Sequence, residues 1–165
     1  VTLPQREEDV VAPCLTLEGP CVYEERLHVG WRGLIGKPVN FPFGWGLSYT
    51  DFEYASDGEP LMRGELGLTI KARVTNVGRV AGADVVQCYV QFPSDTGEPE
   101  LVLRDFVKTE LLEPGASTLV TFALRSRDLS VWENGGWQLV VGDHLFVHVG
   151  PSSRSLPLKW GPIFM

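Results

Sequence analysis

Leu66, Leu68, Ile70, Ala72 and Val74 alternate with Gly67, Thr69, Lys71, Arg73 and Thr75. A period of two puts successive side chains on opposite faces of an extended backbone, so this run is a strand with one face buried. A single strand cannot bury its own apolar face, so others must exist to cover it. Val86, Cys88, Val90 and Phe92 form a second inward set, with Gln87 and Gln91 on the other face, and Val120, Phe122 and Leu124 form a third. No long run with a period of 3.6 competes with them. The fold class is therefore all-β.

The punctuation agrees. Asn76-Val77-Gly78 supplies turn chemistry after the first strand, and Pro93 to Pro99 is a polar loop. Leu101 to Leu112 is a longer, less regular strand region that ends at Glu113-Pro114-Gly115, where proline pre-sets one φ and glycine tolerates a positive one. Asp128 to Trp132 reads as a short helical turn or corner capped by Asp128. Trp137 to Val141 and Leu145 to Val149 flank Gly142-Asp143, the pattern of a hairpin. Leu156 to Trp160 closes the set, with Pro157 favouring an edge position. About seven short strands joined by turns make an antiparallel sandwich. The eighteen glycines and twelve prolines suit this many turns.

The first forty-odd residues are different. Residues 1 to 21 hold an acidic run, two prolines and no sustained period. Val22 to Arg32 has some apolar content but no partner of its own kind nearby, so it reads as part of a domain lying outside this sequence. A connector rich in Gly and Pro follows, through Gly36, Pro38, Pro42, Gly44 and Gly46. The expected division is residues 1–46 as a tail plus linker and 47–165 as the sandwich. The chain starts with Val1 rather than Met, and its first residues are polar and acidic where a secretion signal would be basic and then apolar. Both features suit a piece of a longer polypeptide.

Composition excludes several functions. A net charge of −7 argues against nucleic acid, which requires clustered Lys and Arg. No apolar stretch approaches the roughly 20 residues that cross a bilayer, so no membrane partner is expected. Cys14 and Cys21 flank a six-residue stretch and are placed to close a small loop in an oxidising compartment. Cys88 lies in a strand pattern and reads as a small buried hydrophobe. Without Cys-x-x-Cys there is no zinc framework. His144 and His148 share a strand face but stand about 13 Å apart, too far for one metal ion. No cofactor or metal residues are expected.

Two segments resemble a known family. Phe41-Pro42-Phe43-Gly44-Trp45-Gly46-Leu47-Ser48-Tyr49-Thr50-Asp51-Phe52-Glu53-Tyr54 closely resembles the junction into the C-terminal domain of three-domain family 3 glycoside hydrolases. Trp45 stands where that family usually has His. Val74 to Gly78 with Gly82 to Val90 is similar to the family's second and third sandwich strands. Leu112 to Ser117, Asp128 to Trp132 and Val149 to Ser153 follow in the family's order. Tyr23 to Arg32 is similar to the segment that ends its α/β-sandwich domain. Other departures are Arg26 for a usual Gly, a short stretch from Gly33 to Val39, and Cys88 where Leu is common.

The resemblance implies an immunoglobulin or fibronectin type III-like antiparallel sandwich with an irregular N-terminal extension. It also implies a parent enzyme that hydrolyses terminal β-linked glycosides with retention, of β-glucosidase or β-xylosidase type. In that family the nucleophilic aspartate lies in an N-terminal barrel and the acid/base in the middle domain. No catalytic residue is therefore expected on this chain. The acidic pairs Glu7/Glu8, Glu24/Glu25 and Asp57/Glu59 read as solvated surface, because a retaining site needs two carboxyls about 5–5.5 Å apart in a sugar-sized cleft. Trp132, Trp137 and Trp160 are expected to pack within or between domains, with stacking on sugar rings as the alternative. The implied partners are the catalytic domains of the same polypeptide and oligo- or polysaccharide, in an extracellular, secretory or vacuolar location rather than the cytoplasm. The competing reading is a free-standing carbohydrate-binding or interaction module.

Overall fold

A computed structural model describes residues 2–10, 19–20, 23–62, 67–140 and 145–163. The alternating run forms the long strand β5, Gly67–Asn76, preceded by β1 (Leu3–Pro4), β2 (Val39–Phe41), β3 (Phe52–Ser56) and β4 (Leu61–Met62). After it come β6 (Val85–Gln91), β7 (Leu101–Lys108), β8 (Ser117–Arg125), β9 (Ser130–Glu133), β10 (Gly136–Leu139), β11 (Phe146–Gly150) and β12 (Leu158–Trp160). Among the described residues the remaining regular structure is four short 3-10 turns.

β5 organises one sheet. It pairs with β8 along its whole length, from Gly67 opposite Arg125 to Thr75 opposite Ser117. Its other edge pairs with β3 and β4. The second sheet runs β12-β11-β6-β7, with every neighbour antiparallel. Between the sheets lies the core: Leu68, Ile70, Ala72 and Val74 from β5, Val120, Phe122 and Leu124 from β8, Val86, Cys88 and Val90 from β6, and Val147 and Val149 from β11. These are the inward sets that the period of two picks out. Opposite Cys88 and Tyr89 the register of β7 slips past Arg104, a bulge with one extra residue on the β7 side. The irregular Leu101 to Leu112 region thus resolves into β7, the bulge and an isolated bridge from Leu112 to Gly82.

Turns fall where their chemistry puts them. Gly115 has φ +80°, and its N–H reaches the Asn76 carbonyl. β12 starts directly after Pro157 at the edge of its sheet, where a missing N–H costs nothing. Two local readings are corrected. Trp137 to Val141 does not form a hairpin with Leu145 to Val149: β10 pairs with β9, and β11 pairs with β6 and β12. The turn that joins β9 to β10 is Asn134-Gly135, with φ +52° and +81°, the left-handed pair that matches the twist of a tight hairpin. Gly142-Asp143 lies outside the described residues.

The second correction concerns Asp128 to Trp132. The 3-10 turn is Ser126–Leu129, and Val131 and Trp132 belong to β9. Asp128 is inside the turn, where its carboxylate accepts from the Arg125 backbone N–H at 2.9 Å and from Arg125 Nε at 3.0 Å. The first correction arises because the partners of β11 are chosen by nonlocal packing, which local composition does not encode.

Asn76 closes the end of β5. It is fully buried, and its Oδ1 accepts from Thr50 Oγ1 at 2.6 Å and from the Gly78 N–H at 3.0 Å. Its Nδ2 donates to the carbonyls of Val80 and Leu112, each at 2.8 Å. One side chain thus holds the start of β3, the turn after β5 and the loop before β8. Asn76→Ala would leave a buried hydroxyl and two carbonyls short of partners, at a cost of about 2–4 kcal/mol. Urea unfolding should show a lower midpoint with an unchanged slope. A midpoint equal to wild type would contradict this role.

Candidate functional site

The acidic pairs come first, because hydrolysis would need them. Glu7 and Glu8 lie in a 3-10 turn, Glu7–Asp9, with Glu8 exposed and 3.0 Å from Arg6. Asp57 is bonded to Arg73 at 2.7 Å, and Glu59 is exposed in the turn after β3. Glu24 and Glu25 border a cleft of about 830 Å³ together with Asp9, His28, Trp31 and Lys37. Asp9, which composition alone does not single out, is the buried acid of this group. Its carboxylate takes Arg6 Nε at 3.0 Å and Nη2 at 3.2 Å, with Lys37 Nζ at 3.9 Å. Such a carboxylate is committed to two cations and ties the N-terminal segment to Lys37. Among the described residues no three His, Cys, Asp or Glu side chains cluster so as to hold a metal ion. Cys14, Cys21 and His144 lie outside the described residues.

The outer face of the second sheet is where the structure departs most from expectation. Gln87 and Tyr89 project away from the core, yet both are buried. The connector covers them. A 3-10 turn at Gly30–Leu34 and the segment through Phe43 form a strap across β6, in which Trp31 stacks on Phe43 at 4.9 Å and meets Tyr89 edge-on at 5.7 Å. Tyr89 Oη donates to Gln87 Oε1 at 2.6 Å, while Gln87 Nε2 donates to the carbonyls of Gly44 and Pro151. Arg154 Nη2 donates to the carbonyls of Leu34 and Lys37, and the Ser153 N–H to that of Phe43. Gly44 is demanded here twice: its φ is +79°, and a Cβ would fall 2.0 Å from Gln87 Oε1. Trp31, part of the stretch expected to lack a partner, therefore packs on this chain's own sheet.

The Phe41 to Tyr54 motif is split by this arrangement. Phe43 and Gly44 belong to the strap, Thr50 bonds Asn76, and Phe52 and Tyr54 pack against the core. Tyr54 Oη donates to Asp84 Oδ2 at 2.5 Å, and burial together with that carboxylate raises its pKa above the ordinary phenol range. Between these anchored positions Leu47 is 90% exposed and Tyr49 100% exposed, beside the half-exposed Trp45. The middle of the motif faces outward.

The tryptophans also divide. Trp160 is buried in the core, with Nε1 directed at the Gly58 carbonyl at 3.4 Å. Trp132 and Trp137 stand exposed on the β9–β10 hairpin. Cys88 is buried, and loss of solvation pushes its thiol pKa up, the behaviour of a packing residue. His148 faces outward from β11 between Lys159 of β12 and Tyr89 of β6. Its Nε2 is 2.8 Å from Gln91 Oε1, and burial, helped by Lys159, lowers its pKa to about 4.

Comparison with known proteins bears on this geometry. Residues 84–153 match the model of the fibronectin type III-like domain. A β-glucosidase of Pyricularia oryzae is 42% identical over 160 residues, which take in 83% of this chain and 22% of that protein. The solved structure of β-glucosidase 3B from Thermotoga neapolitana in complex with glucose is 40% identical, with a TM-score of 0.74, over 84% of this chain and 19% of the other. A β-glucosidase from Paenibacillus barengoltzii gives a TM-score of 0.84 at 32% identity, over 97% of this chain and 19% of that one. The chain spans about a quarter or less of the length of the relatives it matches.

The lowered pKa of His148 makes a signed prediction. The ring stays neutral in the fold at pH values where the unfolded chain, with an ordinary pKa near 6.5, already binds a proton. The associated stability is present above about pH 6.5 and is lost as pH falls from there toward 4. His148→Gln should flatten that part of the profile by about 1 kcal/mol after allowance for partial solvent screening. Parallel pH profiles of urea unfolding for the two proteins would contradict it. For the strap, Trp31→Ala should cost about 2–4 kcal/mol by opening a void over Tyr89, seen as a lower urea midpoint.

Proposed function

We propose that this chain, a fibronectin type III-like domain of the kind carried by family 3 glycoside hydrolases, is the accessory, structural end of a longer enzyme of β-glucosidase type. The parent hydrolyses terminal β-linked glycosides, and the groups that cleave the bond belong to other domains of the same polypeptide, which are this domain's partners. Oligo- or polysaccharide is its second partner, in an extracellular, secretory or vacuolar setting.

The observation that carries this reading is the outward-facing centre of the joint motif. Leu47 and Tyr49 expose large apolar side chains in the one stretch that most resembles the family's junction, a position that burial against another domain would satisfy. The acids support it from the other side: Asp9, Asp57, Asp84 and Asp128 are each committed to a cation or a hydroxyl. Residues 1–46 are read as the tail of a preceding α/β-sandwich domain plus linker, and 47–165 as the sandwich. Within residues 1–46, the hydrogen bonds from Gln87, Ser153 and Arg154 favour Gly30 to Gly44 as the part that travels with the sandwich.

Two outcomes are expected. The purified chain releases no sugar from aryl β-glucosides or β-xylosides; turnover above the buffer rate would overturn the reading. In the full-length polypeptide, the double substitution Leu47→Glu and Tyr49→Glu lowers the melting temperature by several degrees, on the order of 1–3 kcal/mol of lost burial. The same pair leaves the isolated chain's melting temperature unchanged, because neither side chain is packed in it. An equal fall in both proteins would sink the docking role.

A further inference from the structure

The β9–β10 hairpin presents its two tryptophans as a pair. Trp132 and Trp137 are directly opposite in register, and residues opposite each other on antiparallel strands share a face. Their rings meet at 5.4 Å with an interplanar angle of 72°, and the Arg127 guanidinium lies 4.5 Å over the Trp137 ring. Yet Trp132 is 59% exposed and Trp137 46% exposed. The hairpin is tightly made, with two left-handed residues at its turn and Val131 and Leu139 anchoring its base in the core. The aromatic pair is therefore held in place before any ligand arrives, and little side-chain entropy is left to lose on binding.

The size and rim of this patch indicate what covers it. Two indoles offer far less area than the roughly 1,000 Å² that a stable protein interface buries. The hairpin tip at Asn134 is exposed and polar rather than apolar, as are Glu133 and Gln138 on the opposite face of the hairpin. Trp137 has one face under Arg127, which leaves the more exposed Trp132 as the open surface. Among the described residues Arg127 makes no ion pair or side-chain hydrogen bond, so its N–H groups are free to donate. An apolar plate of one or two ring widths beside unspent donors matches a pyranose, whose axial C–H face stacks on an indole while its equatorial hydroxyls accept hydrogen bonds. The chain's net charge of −7 disfavours uronates and other polyanions.

We propose that Trp132, Trp137 and Arg127 form a binding site for neutral β-linked oligosaccharides, with Trp132 as the stacking surface, Trp137 as its edge-on support and Arg127 as the hydroxyl-binding group. The proposal rests on the reading that the parent polypeptide works on β-linked glycosides, and it gives the saccharide partner a location. The site holds a stretch of glycan against the domain; it breaks no bond.

The test is a titration of the chain with cellohexaose and with xylohexaose, followed by calorimetry and by tryptophan fluorescence. Saturable binding with a Kd of about 0.1–1 mM is expected for at least one of them. Trp132→Ala should weaken it about tenfold or more, Arg127→Ala several-fold, and Trp132→Phe least, because a stacking face remains. Far-ultraviolet circular dichroism and the urea midpoint establish that each variant is folded; if Trp132→Ala is not, Arg127→Ala and Trp132→Phe decide. No saturable signal up to about 10 mM with either sugar, or an affinity unchanged by the substitutions, overturns the proposal. That outcome leaves the accessory role standing, since it is read from the melting temperatures of the full-length Leu47 and Tyr49 variant and from the absence of turnover.

Discussion

The burial of one face of β5 against one face of β6 is the contact on which everything else is built. Leu68, Ile70, Ala72 and Val74 meet Val86, Cys88 and Val90 across the gap between the sheets. Both strands are paired on both sides, so neither can shift without dragging its neighbours. A slip of one residue would turn each apolar set toward solvent and each polar set toward the core, which is why the registers of β8, β7 and β11 are so strongly specified. Asn76, at the end of β5, then ties that core to the three chain segments that enter and leave it.

A second layer sits on the back of β6. Tyr89 and Gln87 could have faced water, but the strap seals them under Trp31 and Phe43, with Arg154 and Ser153 gripping its backbone. Backbone carbonyls at Lys37, Phe43 and Gly44 are satisfied by side chains and amides of the sandwich, and the Leu34 carbonyl takes Arg154 in addition to the Lys37 N–H. The connector is thereby made a fixed extension of the domain rather than a loose tether. A rigid extension transmits orientation, which is what an accessory domain requires if it is to hold a fixed place beside other domains.

The charged groups tell the same story of structural rather than chemical employment. Asp9 is spent on Arg6 and Lys37, Asp57 on Arg73, Asp84 on Tyr54 and Asp128 on Arg125. The large apolar side chains left uncovered on the described surface include Leu47 and Tyr49 at the joint and Trp132 and Trp137 on the hairpin. These two patches differ in kind. The first is a pair of side chains, Leu47 and Tyr49, that this chain leaves almost wholly uncovered. The second is a rigid pair locked by register and by a guanidinium, and the distinction separates a surface that docks to protein from one that stacks on a ring.

The alternation in β5, β6 and β8 was legible because period two is a local property of an extended backbone, and the edge place of β12 followed from the missing N–H of Pro157. Turn chemistry at Gly115 was legible for the same reason. Asn134-Gly135 carried a hairpin signal too, yet two apolar runs of equal length around Gly142-Asp143 suggested a different pairing, because which strands pair is decided by packing across the whole domain. Alternation also states that Gln87, Tyr89 and Gln91 share a face without stating what covers it; only the tertiary structure brings the strap there. Likewise Trp160 and Trp132 are the same residue in sequence, and the fold alone buries one and presents the other. Composition and periodicity decided that this chain would be an antiparallel sandwich, since both act over neighbouring residues. Its strap, its exposed joint and its tryptophan pair depend on contacts between residues distant in the chain, which exist only once the sheets have closed.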